Sequence, residues 1–188
     1  MRITDIWFVN VNGDDVINDF DRTVIGNPQP DFIFGFNNQF GYKNFDLSIF
    51  FQGSYGNDIW NGVRVSHEGM ESTYNQFTST LNRWNGEGSS NTMPRAIYAD
   101  PNRNNRASTR WVEDGSYLRL KNLTFGYRFT QDWLKKIGAK SLRLYLSFDN
   151  LWTLTNYSGL DPEVGLWGLD YGIYPTSRVY MFGASVKF

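Results

Sequence analysis

The sequence has no cysteine and a single histidine, His67. Without a thiol there is no disulfide, no thiolate nucleophile and no thiolate zinc site, and one histidine cannot build a poly-histidine metal centre. No stretch approaches the roughly 18 apolar residues of a membrane helix, and the N-terminus lacks the basic-then-apolar pattern of a secretory signal. An excess of one charge is missing too. Lys and Arg number 18 against 19 Asp and Glu, so a net charge of −1 over 188 residues exerts no global pull on nucleic acid, and no nucleic-acid partner is expected. The missing helical span does not exclude a membrane, because barrel strands carry their lipid face in alternate positions.

What the sequence has in quantity is rings: 15 Phe, 11 Tyr and 7 Trp, with charged residues still at 20%. Large rings must therefore sit beside many polar neighbours. A carbohydrate-binding sandwich, an aromatic-rich soluble barrel and an outer-membrane barrel with ring girdles all satisfy this.

Period-two alternation separates these possibilities. In Asp31 to Tyr42, Phe32, Phe34, Phe36 and Phe40 share one face, with Gly35, Asn37 and Gln39 on the other. Asn44 to Tyr55 sets Phe45, Leu47, Ile49 and Phe51 against Asp46, Ser48, Phe50 and Gln52, a turn at Lys43 away. Ser141 to Leu151 opposes Leu142, Leu144, Leu146 and Phe148 to Arg143, Tyr145, Ser147 and Asp149. Ser177 to Phe188 opposes Tyr180, Phe182, Ala184, Val186 and Phe188 to Met181, Gly183, Ser185 and Lys187. In Ser116 to Phe129 the phase changes between Leu118, Leu120 and Leu123, Phe125, Tyr127, Phe129. One extra residue at Lys121 or Asn122 restores it, which predicts a β-bulge there. Gln131 to Ile137 holds a helical turn at most.

The connections between these strands are about three, sixty, eleven and twenty-five residues long, alternately short and long as in outer-membrane barrels. With the C-terminus periplasmic, the expected division is 1–30 extracellular loop region, 31–55 hairpin, 56–115 long extracellular loop, 116–151 hairpin, 152–176 extracellular loop and 177–188 last strand. Five or six strands cannot close, since the smallest single-chain barrels have about eight. An open edge in lipid leaves backbone groups unpaired at several kcal/mol each. The expected fold class is thus all-β: an antiparallel up-and-down transmembrane β-barrel of which this chain is one part.

The stretches Asp21-Arg22-Thr23-Val24-Ile25-Gly26-Asn27-Pro28, Tyr42-Lys43-Asn44-Phe45-Asp46-Leu47-Ser48, Phe51-Gln52-Gly53-Ser54-Tyr55-Gly56-Asn57-Asp58 and Gly115-Ser116-Tyr117-Leu118-Arg119-Leu120-Lys121-Asn122 occur in order. They are followed by Asp149-Asn150-Leu151, Tyr157-Ser158-Gly159-Leu160-Asp161-Pro162-Glu163, Tyr174-Pro175-Thr176-Ser177-Arg178, Gly183 and Phe188. Together they resemble the SusC/RagA type of TonB-dependent outer-membrane transporter of Bacteroidota. The resemblance implies a barrel of about 22 strands, of which this chain looks like the last five or six. It also implies a plug domain and TonB box upstream, energy from TonB, and a SusD-like surface lipoprotein that delivers glycan, with peptide as second choice. Outer-membrane lipid and the rest of the barrel complete the implied partners.

Several residues carry candidate chemistry. Tyr180, Phe182 and Phe188 resemble the C-terminal assembly signal of outer-membrane barrels, which acts by β-augmentation; the plainer reading is an ordinary last strand. Asn10, Asn12, Asp14, Asn18 and Asp21 stand at positions 1, 3, 5, 9 and 12 of a calcium-type loop. Position 6 is Asp15 where Gly is wanted, and position 12 lacks the bidentate Glu, so the alternative is an Asx-rich turn with no metal. Trp152, Tyr157 and Trp167 are candidates to stack on sugar, among the loop rings Trp60, Trp84 and Trp111; loop anchoring or a girdle is the plainer use. Arg119, Lys121, Arg143, Asp149 and Lys187 are expected on the wet side. Asp161 and Glu163 have no spacing that warrants glycosidase chemistry, and His67 lacks triad partners, so no enzyme is expected and no cofactor beyond the candidate calcium. The competing functional reading is a soluble β-sandwich carbohydrate-binding module.

Overall fold

The computed structural model describes residues 5–188. In chain order the strands are β1 (Phe32–Tyr42), β2 (Phe45–Tyr55), β3 (Asp58–Asn61), β4 (Val112–Asp114), β5 (Tyr117–Phe129), β6 (Ser141–Thr155), β7 (Leu169–Asp170) and β8 (Val179–Lys187), with one α-helix, α1 (Gly62–Glu68). They fall into two compact units. The first comprises residues 5–28, 58–113 and 164–173; the second comprises Gln29–Asn57, Asp114–Glu163 and Tyr174–Phe188.

The second unit is a five-stranded antiparallel sheet in the order β1-β2-β5-β6-β8. Its strands run 9 to 15 residues, enough to cross a bilayer when tilted, for which about 9 to 11 suffice. The register aligns whole rows. Phe40, Leu47, Phe125, Leu146 and Phe182 lie side by side, and the neighbouring row is Gln39, Ser48, Thr124, Ser147 and Met181. Apolar and mainly polar rows alternate because successive side chains leave a strand on opposite faces. Phe32, Phe34, Phe36, Phe40, Phe45, Phe125, Leu146, Phe182 and Val186 on the apolar face are all exposed. A sandwich would bury that face against a second sheet, so the soluble binding-module reading does not describe this fold.

The bulge is where the phase change puts it. Phe50 pairs with Asn122 and Phe51 with Leu120, leaving Lys121 as the extra residue. A second irregularity escapes the sequence pattern: between the pairs Leu120–Trp152 and Asn122–Asp149, β5 advances two residues while β6 advances three. β6 also continues to Thr155, four residues past the expected end.

Register also sorts the connections. The two-residue turn after Tyr42, the 130–140 segment and the end of β8 lie at one end of the sheet, while the connections of 56–116 and 156–178 leave from the other. Lys43 makes the tight turn with φ of 52°, in the left-handed region.

The first unit has structure that period-two reading of the loops did not reveal. β3 pairs in parallel with β7 and lies between β4 and β7 in a three-stranded sheet. Asn61 caps α1, its side-chain oxygen accepting the Arg64 N–H at 3.0 Å. Ile59, Met70 and Trp111 are buried here, a core of the ordinary water-soluble kind.

Candidate functional site

The polar face of the wall is bonded side chain to side chain. Near the short-turn end the Asp46 carboxylate accepts from Arg143 Nε at 2.9 Å and Nη2 at 2.5 Å. These residues stand on β2 and β6 with β5 between them, and they meet over Gly126. A Cβ at Gly126 would fall 2.6 Å from both Asp46 carboxylate oxygens and 2.7 Å from Arg143 Nη2, so the residue must be glycine for the ion pair to span the strand. The Arg143 guanidinium lies 4.8 Å from the Tyr145 ring centroid, and that ring in turn covers Gly183. Asn122 Nδ2 donates to Ser147 Oγ and to Asp149 Oδ1, and Thr124 and Ser147 share a hydroxyl bond of 2.8 Å.

Toward the long-connection end, Arg119 uses four of its five N–H donors. Nε donates to Thr153 Oγ1 at 2.9 Å, Nη1 to Glu163 Oε2 and Thr176 Oγ1 at 2.7 Å each, and Nη2 to Asp161 Oδ1 at 2.5 Å. Its side chain is 3% exposed. Lys121, the bulge residue, shares Glu163 at 3.2 Å. The bulge keeps Lys121 on the polar side while the chain changes phase beyond it. Asp161 also accepts the backbone N–H groups of Thr176 and Glu163 and the Thr176 hydroxyl. Burial alone would raise its pKa, but those N–H groups and the Arg119 guanidinium hold it at about 2. One guanidinium thus ties together both stems of the segment 164–173, at Asp161–Glu163 and at Thr176.

The loop unit has a charge cluster of its own. Arg64 reaches Glu68 at 2.9 Å and Glu113 at 2.8 Å, and Glu68 Oε1 accepts from Ser79 at 2.7 Å. The Trp111 ring lies 5.6 Å from the Arg64 guanidinium and 4.2 Å from that of Arg110. Burial pushes the Arg110 pKa down.

The residues singled out in the sequence separate in the fold. Arg119, Lys121, Arg143, Asp149 and Lys187 stand on the polar face as expected. Trp152 does not line a polar site: it pairs with Leu120 and shares the apolar face with Leu154. Tyr157 is 5% exposed, its ring packed over Gly159. A sugar cannot stack on either ring as placed. Trp167 is 81% exposed and remains a free platform. His67 lies on α1, bonded to the Val63 carbonyl oxygen at 2.9 Å and stacked on Phe77, a structural position. Tyr180 and Phe182 are exposed on edge strand β8, and Phe188 follows its end.

In the 10–21 loop, Asp15 at the sixth position has φ of 61°, the left-handed backbone that a calcium loop usually assigns to Gly. The donor set is all oxygen, which suits a hard cation. Those oxygens already accept N–H groups: Asn10 from Gly13, Asn12 from Asp14, Asp14 from Val16, Asn18 from Phe20, and Asp21 from Val11 and Asn18. The Val16 N–H lowers the pKa of Asp14, and the Asn18 N–H lowers that of Asp21. Among the described residues no three His, Asp or Glu side chains converge as a metal cluster.

Sequence reasoning missed the partnership of Asp161 and Glu163 with Arg119, treating the carboxylates as a question of hydrolysis. The available signal was an Arg and a Lys two residues apart on a wall strand with two nearby acids in a long connection.

No family model matches the chain. The chain is 40% identical over 192 residues to TonB-dependent receptor P3 of Formosa agariphila, covering 96% of this chain and 19% of the relative. To TonB-dependent receptor SusC of Bacteroides thetaiotaomicron it is 29% identical over 186 residues, covering 96% and 17%. Among solved structures it superposes on the RagAB peptide importer in its closed-closed state with a TM-score of 0.77, 26% identity, and 88% and 18% coverage. The open-open state gives 0.71, 26%, 85% and 17%. The chain thus spans less than a fifth of the length of these relatives. It is a barrel-wall segment, with its connecting loops, of the SusC/RagA type of TonB-dependent outer-membrane receptor.

Proposed function

We propose that the chain forms the closing wall and outside loops of a TonB-energised importer of oligosaccharide, with the long connections facing the exterior. The plug and TonB-contacting region lie elsewhere in such a receptor, and a SusD-like surface lipoprotein is the partner that hands over substrate. The observation that carries the substrate class is Trp167, a solvent-facing ring in the Gly-rich stretch 165–168. A flat apolar ring holds the C–H face of a sugar while leaving its hydroxyls wet. Peptide is the second reading, favoured by the likeness to the RagAB peptide importer.

The test is calorimetry on the full-length receptor with its lipoprotein, using oligosaccharides and peptides of matched length. Trp167→Ala is expected to weaken oligosaccharide binding by about threefold to tenfold, the range for one ring contact. Binding of peptide alone, or oligosaccharide binding indifferent to Trp167→Ala, overturns the assignment. Calcium at residues 10–21 and the assembly role of Tyr180, Phe182 and Phe188 are separate proposals, tested below.

A further inference from the structure

The short-turn end of the wall carries a feature that import does not require. On the apolar face at that end, Phe45, Tyr127 and Phe129 form a continuous belt. Ring centroids are 4.6 Å apart for both Phe45–Tyr127 and Tyr127–Phe129. Such belts mark the boundary between hydrocarbon and headgroups. Tyr42 extends the belt, with the Lys43 ammonium 5.3 Å from its ring centroid.

Just beyond the belt comes the 3-10 turn Asp132–Ile137. Leu134 and Ala139 are buried and fix it to the wall, and Gly138, at φ of 74°, ends it. Its outward residues are two apolar side chains, two lysines and Asp132. Trp133 is 47% exposed and Ile137 63%, and Lys135 and Lys136 are exposed beside them. The Trp133 indole N–H donates to Gln131 Oε1, so the ring can enter an apolar layer without an unpaired donor.

Charge at this end is one-sided although the chain is almost neutral. Lys43, Lys135, Lys136, Lys140 and Lys187 cluster here, and the acid in the turn, Asp132, is already held by Lys135 at 2.7 Å. Lys140 donates to the Phe188 carbonyl oxygen. Asp46 is held by Arg143. Among the described residues Lys136 has no ionic partner.

We propose that this rim is a binding surface for anionic phospholipid headgroups of the periplasm-facing leaflet. The ring belt sets the depth, Trp133 and Ile137 insert at the boundary, and Lys43 and Lys136 meet the phosphates, while Lys135 is held by Asp132. Snorkelling favours this arrangement, since each lysine stem runs along apolar surface while its ammonium stays at headgroup level.

The experiment equilibrates the detergent-purified full-length receptor with equal amounts of phosphatidylglycerol and phosphatidylcholine and quantifies the retained lipid by mass spectrometry. Phosphatidylglycerol is expected to be enriched. A basic side chain near an anionic surface contributes about fivefold, so Lys43→Gln with Lys136→Gln lowers the enrichment by about 5- to 25-fold, with heat-modifiable gel mobility unchanged. In 1 M salt, where the screening length is about 3 Å, wild-type enrichment collapses. Retention at the input ratio in the wild type, enrichment that survives 1 M salt, or an unchanged ratio in a folded double variant overturns the proposal. Should the double variant not fold, the wild-type salt arm decides.

Discussion

Replacing Arg119 by Gln tests how the connection after β6 is held. The guanidinium makes four hydrogen bonds, two of them to carboxylates, at 3% exposure. Removing one partner of a buried ion pair costs about 3 to 5 kcal/mol, because the remaining charge is stranded. Asp161 retains three other donors and Glu163 retains Lys121, which points to the lower end, about 3 kcal/mol. The loss should be local, read as faster amide exchange in residues 156–178 of the full-length receptor while heat-modifiable mobility of the barrel stays constant. The acid response gives an independent check. Asp161 is depressed from 3.8 to about 2, so its contribution is complete above about pH 5 and is lost as pH falls through about 2. The depression corresponds to about 2.5 kcal/mol at most. Exchange in residues 156–178 should therefore accelerate between pH 4 and 2 in the wild type, once corrected for intrinsic rates, and Asp161→Asn should remove that step. A local loss below about 1 kcal/mol in Arg119→Gln, or an acid step that persists in Asp161→Asn, would refute the clamp.

Phe182→Arg or Leu146→Arg, on the apolar row near the middle of the band, should destabilise the barrel by about 2 to 4 kcal/mol; Gln39→Arg in the adjacent polar row should cost far less, and equal losses in urea titrations would reject the face assignment. Ser147 is no fair control for this comparison, being 5% exposed and bonded to Asn122 and Thr124. Deleting Phe188 from the full-length receptor should reduce surface levels measured by immunolabelling, and unchanged levels would remove the assembly role. Calcium added to the receptor should give saturable heat with a dissociation constant of about 0.1 to 1 mM, the range of extracellular modules, which Asp14→Ala together with Asp21→Ala abolishes; a flat wild-type titration leaves the loop as an Asx-rich turn.

Faces were legible in the sequence because a strand has only two of them, and lipid tolerates charge on neither the rings nor their neighbours. The Lys121 bulge was legible for the same reason: one extra residue inverts parity, so Leu118 and Leu120 fall out of phase with Leu123 and Phe125. The register change in β6 left no such trace. Relative to β2 its extra residues amount to two, an even number, so Phe148, Trp152 and Leu154 stay in phase across it. The surviving signal is Asn150 at φ of 51°, one of the few side chains that tolerates the left-handed region. Trp152 escapes the alternation for a related reason: a strand read to Leu151 leaves it in a loop, whereas β6 runs to Thr155 and sets the ring on the apolar face. The loop unit stayed hidden because its elements are short. β7 has two residues and β4 three, too few to show a period, and they hold through side-chain bonds such as Asn61 to Glu113 that spacing cannot announce.

The two units solve the problem of burial in opposite ways, and this decides what each needs in order to fold. In the loop unit, Ile59 and Trp111 are withdrawn from solvent and Arg64, Glu68 and Glu113 neutralise one another nearby. Water drives that arrangement in the usual direction. In the wall, the withdrawn groups are Arg119, Asp161 and Ser147, while Phe36, Phe40 and Phe182 face outward. Nothing in water favours such a sheet. In lipid the exposed rings cost nothing, but β1 and β8 each present an unpaired edge, and unpaired backbone groups in hydrocarbon cost several kcal/mol apiece. The wall is therefore stable only when other strands close it on both sides. Arg119 consequently matters beyond its own bonds: it holds Asp161, Glu163 and Thr176 to a strand that is itself stable only in a closed barrel.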